Sequence, residues 1–284
     1  MWLTGKEVVA AMKEDLQARV TRLVEANGRP PKLAIVRVGE REDDLSYERG
    51  ATKRMESVGV DVEVFAFPED VTGDVLEACL RTINTTPEIS GCLLFRPLPD
   101  HLDEDKIRNV LAADKDIDGI TDESMAGVYN LSGRGFSPCT PKACIKILDH
   151  YGYDLKGKRV VIVGRSLVVG KPLAMLCLAR HATVTVCHTR TVDLPARVKE
   201  ADIVFVAAGQ AEMSGPEFFR EGQVVVDVGI HVNAEGKLVG DVRQDEVEPI
   251  VAALTPVPGG VGTVTTSVLV AHVVEAAEKQ STLS

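Results

Sequence analysis

This chain has no basic stripe. Its 32 Lys and Arg stand against 42 Asp and Glu, a formal charge of −10, so nucleic acid or an anionic membrane surface would be repelled rather than bound. No apolar run approaches the length of a membrane span. The opening Met1-Trp-Leu-Thr-Gly-Lys-Glu lacks a charged segment followed by an apolar one, so a cytoplasmic protein is expected. Cys79, Cys92, Cys139, Cys144, Cys177 and Cys187 form no C-x-x-C pair and sit mostly inside apolar runs. Neither a disulfide nor a zinc or other metal site is implied. Internal repeats and low-complexity tracts are also missing. With 45% apolar composition over 284 residues, the chain has enough material for two domains of an ordinary globular enzyme.

Hydrophobic periodicity alternates between helical stretches and short continuous apolar runs, the pattern of an α/β protein with buried parallel strands. In the first half the spacing predicts helices over residues 5–25, 45–58 and 75–84, and strands over 32–38, 60–67 and 89–95. The last strand exits into Arg96-Pro97-Leu98-Pro99, where prolines enforce an extended path at a strand's C-terminal end. Residues 121–141, rich in Gly, Ser and Pro, read as a connector, and a helix is expected over 141–151. Strands follow at 160–163, 183–187, 203–207 and 224–228, with helices beginning near Pro172, Asp193 and Pro216. The stretch 265–278 has helical periodicity and, at the end of the chain, would pack back on the first domain.

The most informative run is Arg159-Val-Val-Ile-Val-Gly-Arg-Ser-Leu-Val-Val-Gly-Lys-Pro172, a buried strand that breaks at a glycine and restarts as a helix. Unpaired N–H groups and the helix dipole converge at such a place and make a seat for a phosphate. Gly164 supplies the first glycine of a dinucleotide fingerprint; Ser166 stands where the second belongs, and the last comes one residue late at Gly170. A Walker A loop is disfavoured, because five residues rather than four separate the glycines and Lys171-Pro172 follows. The second strand ends in His188-Thr189-Arg190-Thr191, with no carboxylate to take the adenosine ribose. Together with Arg165 and Ser166, Arg190 suits a ribose 2′-phosphate, so NADP is preferred over NAD. The competing reading makes Arg165 and Arg190 ordinary solvated cations.

Other residues carry weaker signals. Tyr47 follows the acidic turn Glu42-Asp43-Asp44 and offers a flat face to a heteroaromatic ligand, although a packing tyrosine is the simpler account. Asp116 and Asp118 lie in a short turn where a carboxylate can accept hydrogen bonds from a ligand's amino and ring N–H groups, or merely close an Asx turn. In Thr255-Pro-Val-Pro258-Gly259-Gly260-Val-Gly262, two prolines fix φ while glycines permit positive φ, giving a shaped loop that can approach a ligand closely. Val224-Val-Val-Asp-Val-Gly229-Ile230 ends a strand in a glycine turn suited to backbone contact with a nicotinamide ring.

Taken together, Lys115-Asp-Ile-Asp-Gly119, Pro138-Cys-Thr-Pro141, Val163-Gly-Arg-Ser166, Val169-Gly-Lys-Pro172, Val226-Asp-Val-Gly-Ile230, Gly240-Asp-Val242 and Thr255-Pro-Val-Pro-Gly-Gly-Val-Gly262 resemble the methylenetetrahydrofolate dehydrogenase/methenyltetrahydrofolate cyclohydrolase family along nearly the whole chain. The resemblance implies two α/β domains with an interdomain cleft. Residues 1–138, completed by a returning helix over 263–284, would bind one-carbon derivatives of tetrahydrofolate, and residues 139–262 would form a Rossmann-like NAD(P) domain that dimerises. It assigns Tyr47 and Asp118 to catalysis, with Tyr47 flanking the pterin and Asp118 hydrogen-bonding it. Phe95, Pro97, Leu98, Pro258, Gly259 and Gly260 would touch the folate. Gly164, Arg165, Ser166, Gly170, His188, Thr189, Arg190, Thr191, Gly229 and Ile230 would hold the cofactor, NADP by preference, though similar loops also serve NAD.

Departures from the family pattern shape the functional expectation. A Lys is usual four residues after the cleft tyrosine, where Ala51 stands, and a Gln is usual where Phe95 stands. Lys53 cannot replace that Lys, because six residues of helix turn it by roughly 600°, about 120° away from Tyr47. Arg54 returns to the face two turns on. Ile120-Thr121 and Thr263-Val264 also differ. Hydride transfer needs two carbons held close and no obligatory protein acid or base, whereas hydrolysis of the methenyl ring needs an activated water and proton movements. The expectation is a dehydrogenase with weak or absent cyclohydrolase activity. Its rivals are a bifunctional enzyme in which Arg54, Arg96 or another group substitutes, a non-catalytic folate- or nucleotide-binding regulator, and another NADP oxidoreductase whose first domain accepts a different one-carbon carrier or pterin.

Overall fold

The structure, a computed structural model, describes residues 1–282. In chain order it contains α1 (Gly5–Asn27), β1 (Lys32–Val38), α2 (Glu42–Glu56), β2 (Asp61–Phe67), α3 (Gly73–Thr85), β3 (Gly91–Leu94), α4 (Glu104–Arg108), α5 (Asp122–Asn130) and α6 (Cys139–His150). There follow β4 (Arg159–Val163), α7 (Gly170–Ala179), β5 (Thr183–Cys187), α8 (Leu194–Lys199), β6 (Ile203–Val206), β7 (Val224–Asp227), β8 (His231–Val232), β9 (Leu238–Val239), α9 (Gln244–Val247), β10 (Ala253–Leu254) and α10 (Val261–Thr282). The chain divides into two compact units, one of Met12–Ser137 with the chain from Thr266 onward, the other of Met1–Ala11 with Pro138–Thr265. The first eleven residues therefore belong with the second half of the sequence, where Leu3 N–H donates to the Leu254 carbonyl over 2.9 Å.

The unit built on Met12–Ser137 holds a three-stranded parallel sheet in the order β2-β1-β3. Its central strand is buried along nearly its whole length, which is why its sequence reads as one apolar run rather than an alternation. Helix α3 supplies Leu76, Leu80 and Ile83, all fully buried at helical spacing against Ala34 and Val36 of β1. Burial of side chains of this size stabilises a fold by roughly 1.5–3 kcal/mol each. The stretch 121–141 is not the plain connector expected, because it contains α5. Thr121 caps that helix by accepting a hydrogen bond from Ser124 N–H over 3.1 Å, and Asp122 and Glu123 fill its first turn.

The other unit carries a five-stranded parallel sheet ordered β10-β7-β6-β4-β5. From β4 the chain first steps to β5 on one side and then crosses to β6 on the other, so the loops after β4 and β6 leave the sheet in opposite directions. That divergence is the topological switch point at which open α/β sheets bind ligands. Val161, Val163, Val204, Val206 and Val225 pack on one face. The helix expected near Pro216 is only a 3-10 turn, Pro216–Phe218. β10 and the β8–β9 hairpin were not anticipated, being two-residue strands below the reach of a periodic signal.

Candidate functional site

The loop 164–170 leaves β4 at the switch point, and its two glycines are required by contact rather than by flexibility alone. Gly164 has φ +139°, and a Cβ there would lie 2.2 Å from the Ala207 carbonyl oxygen. A Cβ on Gly170 would lie 2.2 Å from the Gly164 oxygen. The loop is thus folded back on itself and against the end of β6. Ser166 closes it, its hydroxyl accepting from Val169 N–H over 3.0 Å, while Leu173 N–H reaches the Val169 carbonyl over 2.9 Å to start α7 before Pro172. Arg165 and Ser166 are exposed.

Beside it, the turn after β5 is equally tight. The Thr191 hydroxyl accepts from His188 N–H over 2.9 Å, and His188 Nδ1 accepts from Arg190 N–H over 3.1 Å. Thr189 and Arg190 face solvent. Since β4 and β5 are neighbours, Arg165 and Arg190 stand on adjacent loops at one end of the sheet.

Further along that end, Gly229, Ile230, Pro258, Gly259 and Gly260 line one cavity of about 290 Å³, which Thr140, Asp227 and Thr265 also border. Two fully buried carboxylates, Asp227 in that wall and Asp241 next to it, were passed over by residue-type reasoning. Asp227 accepts from Gly229, Asp241 and Val242 N–H groups and from the Gln244 amide, at 2.9–3.2 Å. Asp241 accepts from Ala208, Gly209 and Gln210 N–H groups at 2.7–3.2 Å and pairs with His231 Nε2 at 2.7 Å. Glycine is demanded on both sides, since a Cβ at Gly240 would collide with the Asp227 carboxylate and one at Gly229 with that of Asp241. The two acids tie the loops after β6 and β7 into one frame. A polar residue ending an all-valine strand, as Asp227 does, was the signal available for finding it.

Burial, with the neighbouring Asp241 charge adding to it, pushes the Asp227 carboxyl up to about 6 against the backbone and Gln244 hydrogen bonds. Its folded value lies above its unfolded one, so its contribution to stability is fully present at low pH and is lost as pH rises through about 6. Measured by urea unfolding at about pH 4.5 and again at about pH 7, wild type should lose on the order of 2 kcal/mol relative to D227N across that interval. Parallel pH dependence of the two proteins would contradict the assignment.

In the unit of Met12–Ser137, Tyr47 on α2 is 42% exposed, and its ring is tilted against that of Phe95, centroids 5.7 Å apart. Phe95 and Leu98 are buried, Pro97 is exposed, and Ala51, one turn beyond Tyr47, is fully buried. The Arg96–Pro97 bond is cis. Glu104 fastens this exit by accepting from Leu98 N–H over 2.8 Å and pairing with the Arg96 guanidinium. The two aspartates separate cleanly. Asp116 is fully buried and closes the turn, accepting from Ile120 N–H, Thr121 N–H and the Thr121 hydroxyl at 2.7–3.0 Å. Asp118 is half-buried.

A parallel sheet with a glycine loop at its switch point defines a dinucleotide-binding α/β protein. Residues 138–281 match the family model described as tetrahydrofolate dehydrogenase/cyclohydrolase, NAD(P)-binding domain, and residues 3–118 match that of the catalytic domain. The chain belongs to the tetrahydrofolate dehydrogenase/cyclohydrolase family. It is 51% identical over 278 residues to the bifunctional protein FolD of Carboxydothermus hydrogenoformans, covering 97% of this chain and 96% of that one. The crystal structure of bifunctional FolD from Campylobacter jejuni superimposes with a TM-score of 0.94 at 36% identity, covering 98% and 99% of the two chains. The Trypanosoma brucei dehydrogenase-cyclohydrolase, complexed with NADP and an inhibitor, gives 0.90 at 31% over 98% and 97%. The resemblance and the two-domain α/β fold with a Rossmann-like half are borne out. No helix among the described residues is long and apolar enough to cross a membrane.

Proposed function

We propose that the chain is an NADP-dependent 5,10-methylenetetrahydrofolate dehydrogenase in which hydrolysis of the methenyl ring is weak or absent. The observation that carries the second half is the apolar pair at the folate-side tyrosine: Ala51 is fully buried and Phe95 lays its ring against Tyr47. Neither side chain can hold or move a proton, which is what activating a water demands. Arg96, the nearest substitute in sequence, has its charge paired with Glu104. Oxidation survives this loss because it requires close positioning and not a protein base.

On the nucleotide side, the contact made by Gly164 and Gly170 and the exposed loop end at Ser166 fit a phosphate brought against bare backbone. Arg165 and Arg190, both exposed on neighbouring loops, fit the additional phosphate of NADP, and the T. brucei relative carries NADP. His188, Thr189 and Thr191 shape that second loop, while Gly229 and Ile230 would border the nicotinamide. The chemistry supplied by the bound dinucleotide is acceptance of a hydride from the folate's methylene carbon. Asp118, half-buried after the turn that Asp116 closes, would meet the pterin's amino and ring N–H groups in this reading. Pro97 and Leu98 would add folate contacts on the unit of Met12–Ser137, and Pro258, Gly259 and Gly260 are read as folate contacts on their own loop of the other unit. It extends to a homodimer formed through the nucleotide half, whose edge strand β5 leaves Thr183, Thr185 and Val186 exposed.

The bifunctional names of the relatives favour a second reading, in which Arg54 or Arg96 assumes the proton work. A paired assay separates the two. Purified protein should form methenyltetrahydrofolate from the methylene compound with NADP, yet convert the methenyl compound to 10-formyltetrahydrofolate at no more than the buffer rate. Hydrolysis well above buffer establishes the bifunctional reading, and failure of NADP-dependent oxidation removes the dehydrogenase.

A further inference from the structure

We propose that Gln244 is a positioning residue for the dehydrogenase reaction, holding loop 255–260 in the shape that walls the cavity beside Gly229 and Ile230. The inference rests on the reading of that cavity as part of the dinucleotide site. Gln244 is not among the described residues lining the cavity, so its influence passes through the loop.

The need for such a residue follows from the loop's sequence. Pro256 and Pro258 carry no N–H, which leaves Val257 as the sole backbone donor across those three residues. That donor goes to the Gln244 carbonyl oxygen, over 3.0 Å. The other end of the same carboxamide donates to Asp227 Oδ2 over 3.1 Å and to the Thr255 carbonyl over 3.3 Å. Only one orientation of the amide satisfies all three contacts: turned over, it would set its NH₂ against the Val257 N–H and its oxygen against the Asp227 carboxylate. Thr255 adds a second stitch, its hydroxyl accepting from Asp227 N–H over 2.8 Å.

The anchor itself is rigid. Asp227 is fully buried at the end of β7, locked by Gly229, Asp241 and Val242 N–H groups. Beyond the prolines the loop turns through Gly259 at φ +104°, whose carbonyl accepts from Gly5 N–H over 2.7 Å. The span between these two fastenings, Pro256 to Pro258, depends on Gln244 alone for its single donor. Asp227 cannot reach round to serve it, because its oxygens are already committed. Sequence reasoning had no access to this, since Gln244 stands in a charged stretch, Arg243-Gln244-Asp245-Glu246, that looks like a solvated surface turn.

Two substitutions in the full-length protein test the role. Q244L removes both ends of the amide; Q244E keeps an acceptor for Val257 but sets a carboxyl group against Asp227, with Asp241 and its partner His231 the other titratable groups packed around it. For Q244L, hydrogen exchange at Val257, followed in the peptide 255–262, should quicken by ~10-fold while the amides of β7 keep their protection. NADP should bind ~10-fold more weakly, and the folate KM should rise as well, since Pro258, Gly259 and Gly260 of the same loop are read as folate contacts. Q244E should resemble wild type at about pH 5.5, where one proton shared by the two carboxyl groups restores the donor, and resemble Q244L at about pH 8. Unchanged Val257 exchange or unchanged NADP affinity in Q244L overturns the proposal, as does a Q244E defect independent of pH. Q244E at the lower pH decides the matter should Q244L fail to fold. Wild-type protein that neither binds NADP nor oxidises the folate sinks the underlying reading instead, and the Val257 exchange result then still shows whether Gln244 holds the loop.

Discussion

Gly164→Ala should abolish dinucleotide binding, a fall of at least ~100-fold, and should lower the unfolding free energy by roughly 3 kcal/mol. Two separate effects act at this position. The residue has φ +139°, which side-chain-bearing residues rarely adopt, and a Cβ would lie 2.2 Å from the Ala207 oxygen and 2.9 Å from its carbon. Both atoms belong to the backbone at the end of β6, so neither can swing aside; β4 and β6 must separate or the loop must move. Either response disturbs the switch point where the phosphate is read to sit. Gly209→Ala isolates the conformational part, because Gly209 also has positive φ, +69°, yet a Cβ there meets nothing within 4 Å. That control should lose only about 1–2 kcal/mol. Gly170→Ala isolates the collision, since its added atom would lie 2.2 Å from the Gly164 oxygen without a positive φ. Fluorescence titration with NADP and urea unfolding of the three variants measure both quantities. Binding by Gly164→Ala within a few-fold of wild type would mean the phosphate is not held by this loop.

The strand, glycine loop and helix around that residue were legible in the sequence because each part has a local cause: an apolar run buried on both faces, a glycine needed for φ, and a helix start marked by Pro172. What escaped depends on chain segments far apart. Helix α5 had the right start, Thr121 followed by two acids, but the stretch 121–141, with Gly127 among its glycines, read as a connector. The structure supplies the reason for that glycine, since a Cβ on it would lie 2.0 Å from the Arg134 oxygen, a contact no local rule contains. The frame of Asp227, Asp241 and Gln244 escaped for the same reason. Its members are neighbours only because β6 and β7 pair and the segment 240–244 is carried back across their ends. By contrast Tyr47 and Phe95 were grouped through the family resemblance, which implies a place for both on the folate side, and their rings pack together.

The double substitution A51K/F95Q should raise methenyltetrahydrofolate hydrolysis by ~10²–10⁴-fold, the range that positioned acid–base groups contribute, with dehydrogenase activity kept within a few-fold of wild type. Position 51 lies four residues beyond Tyr47 on α2, which places the two on one helix face. Ala51 is fully buried, so an ammonium introduced there must extend along its methylene stem past apolar neighbours to reach water. Alone it would be poorly solvated at this fully buried position, and desolvation drives an amine toward its neutral form. Replacing Phe95 withdraws the ring that packs on Tyr47 at 5.7 Å and puts an amide oxygen within reach of the new cation. The two changes should therefore be strongly non-additive, A51K or F95Q singly recovering less than a tenth of the rate that the pair recovers. The measurement is loss of the methenyl absorbance against a buffer blank for the four proteins, with NADP-dependent oxidation followed in parallel. A double variant that oxidises the folate normally yet hydrolyses it no faster than wild type would remove the apolar pair as the cause of the deficit. The oxidation arm also separates repair of chemistry from repair of binding, since a gain that came only from tighter folate binding would lower KM in both reactions alike.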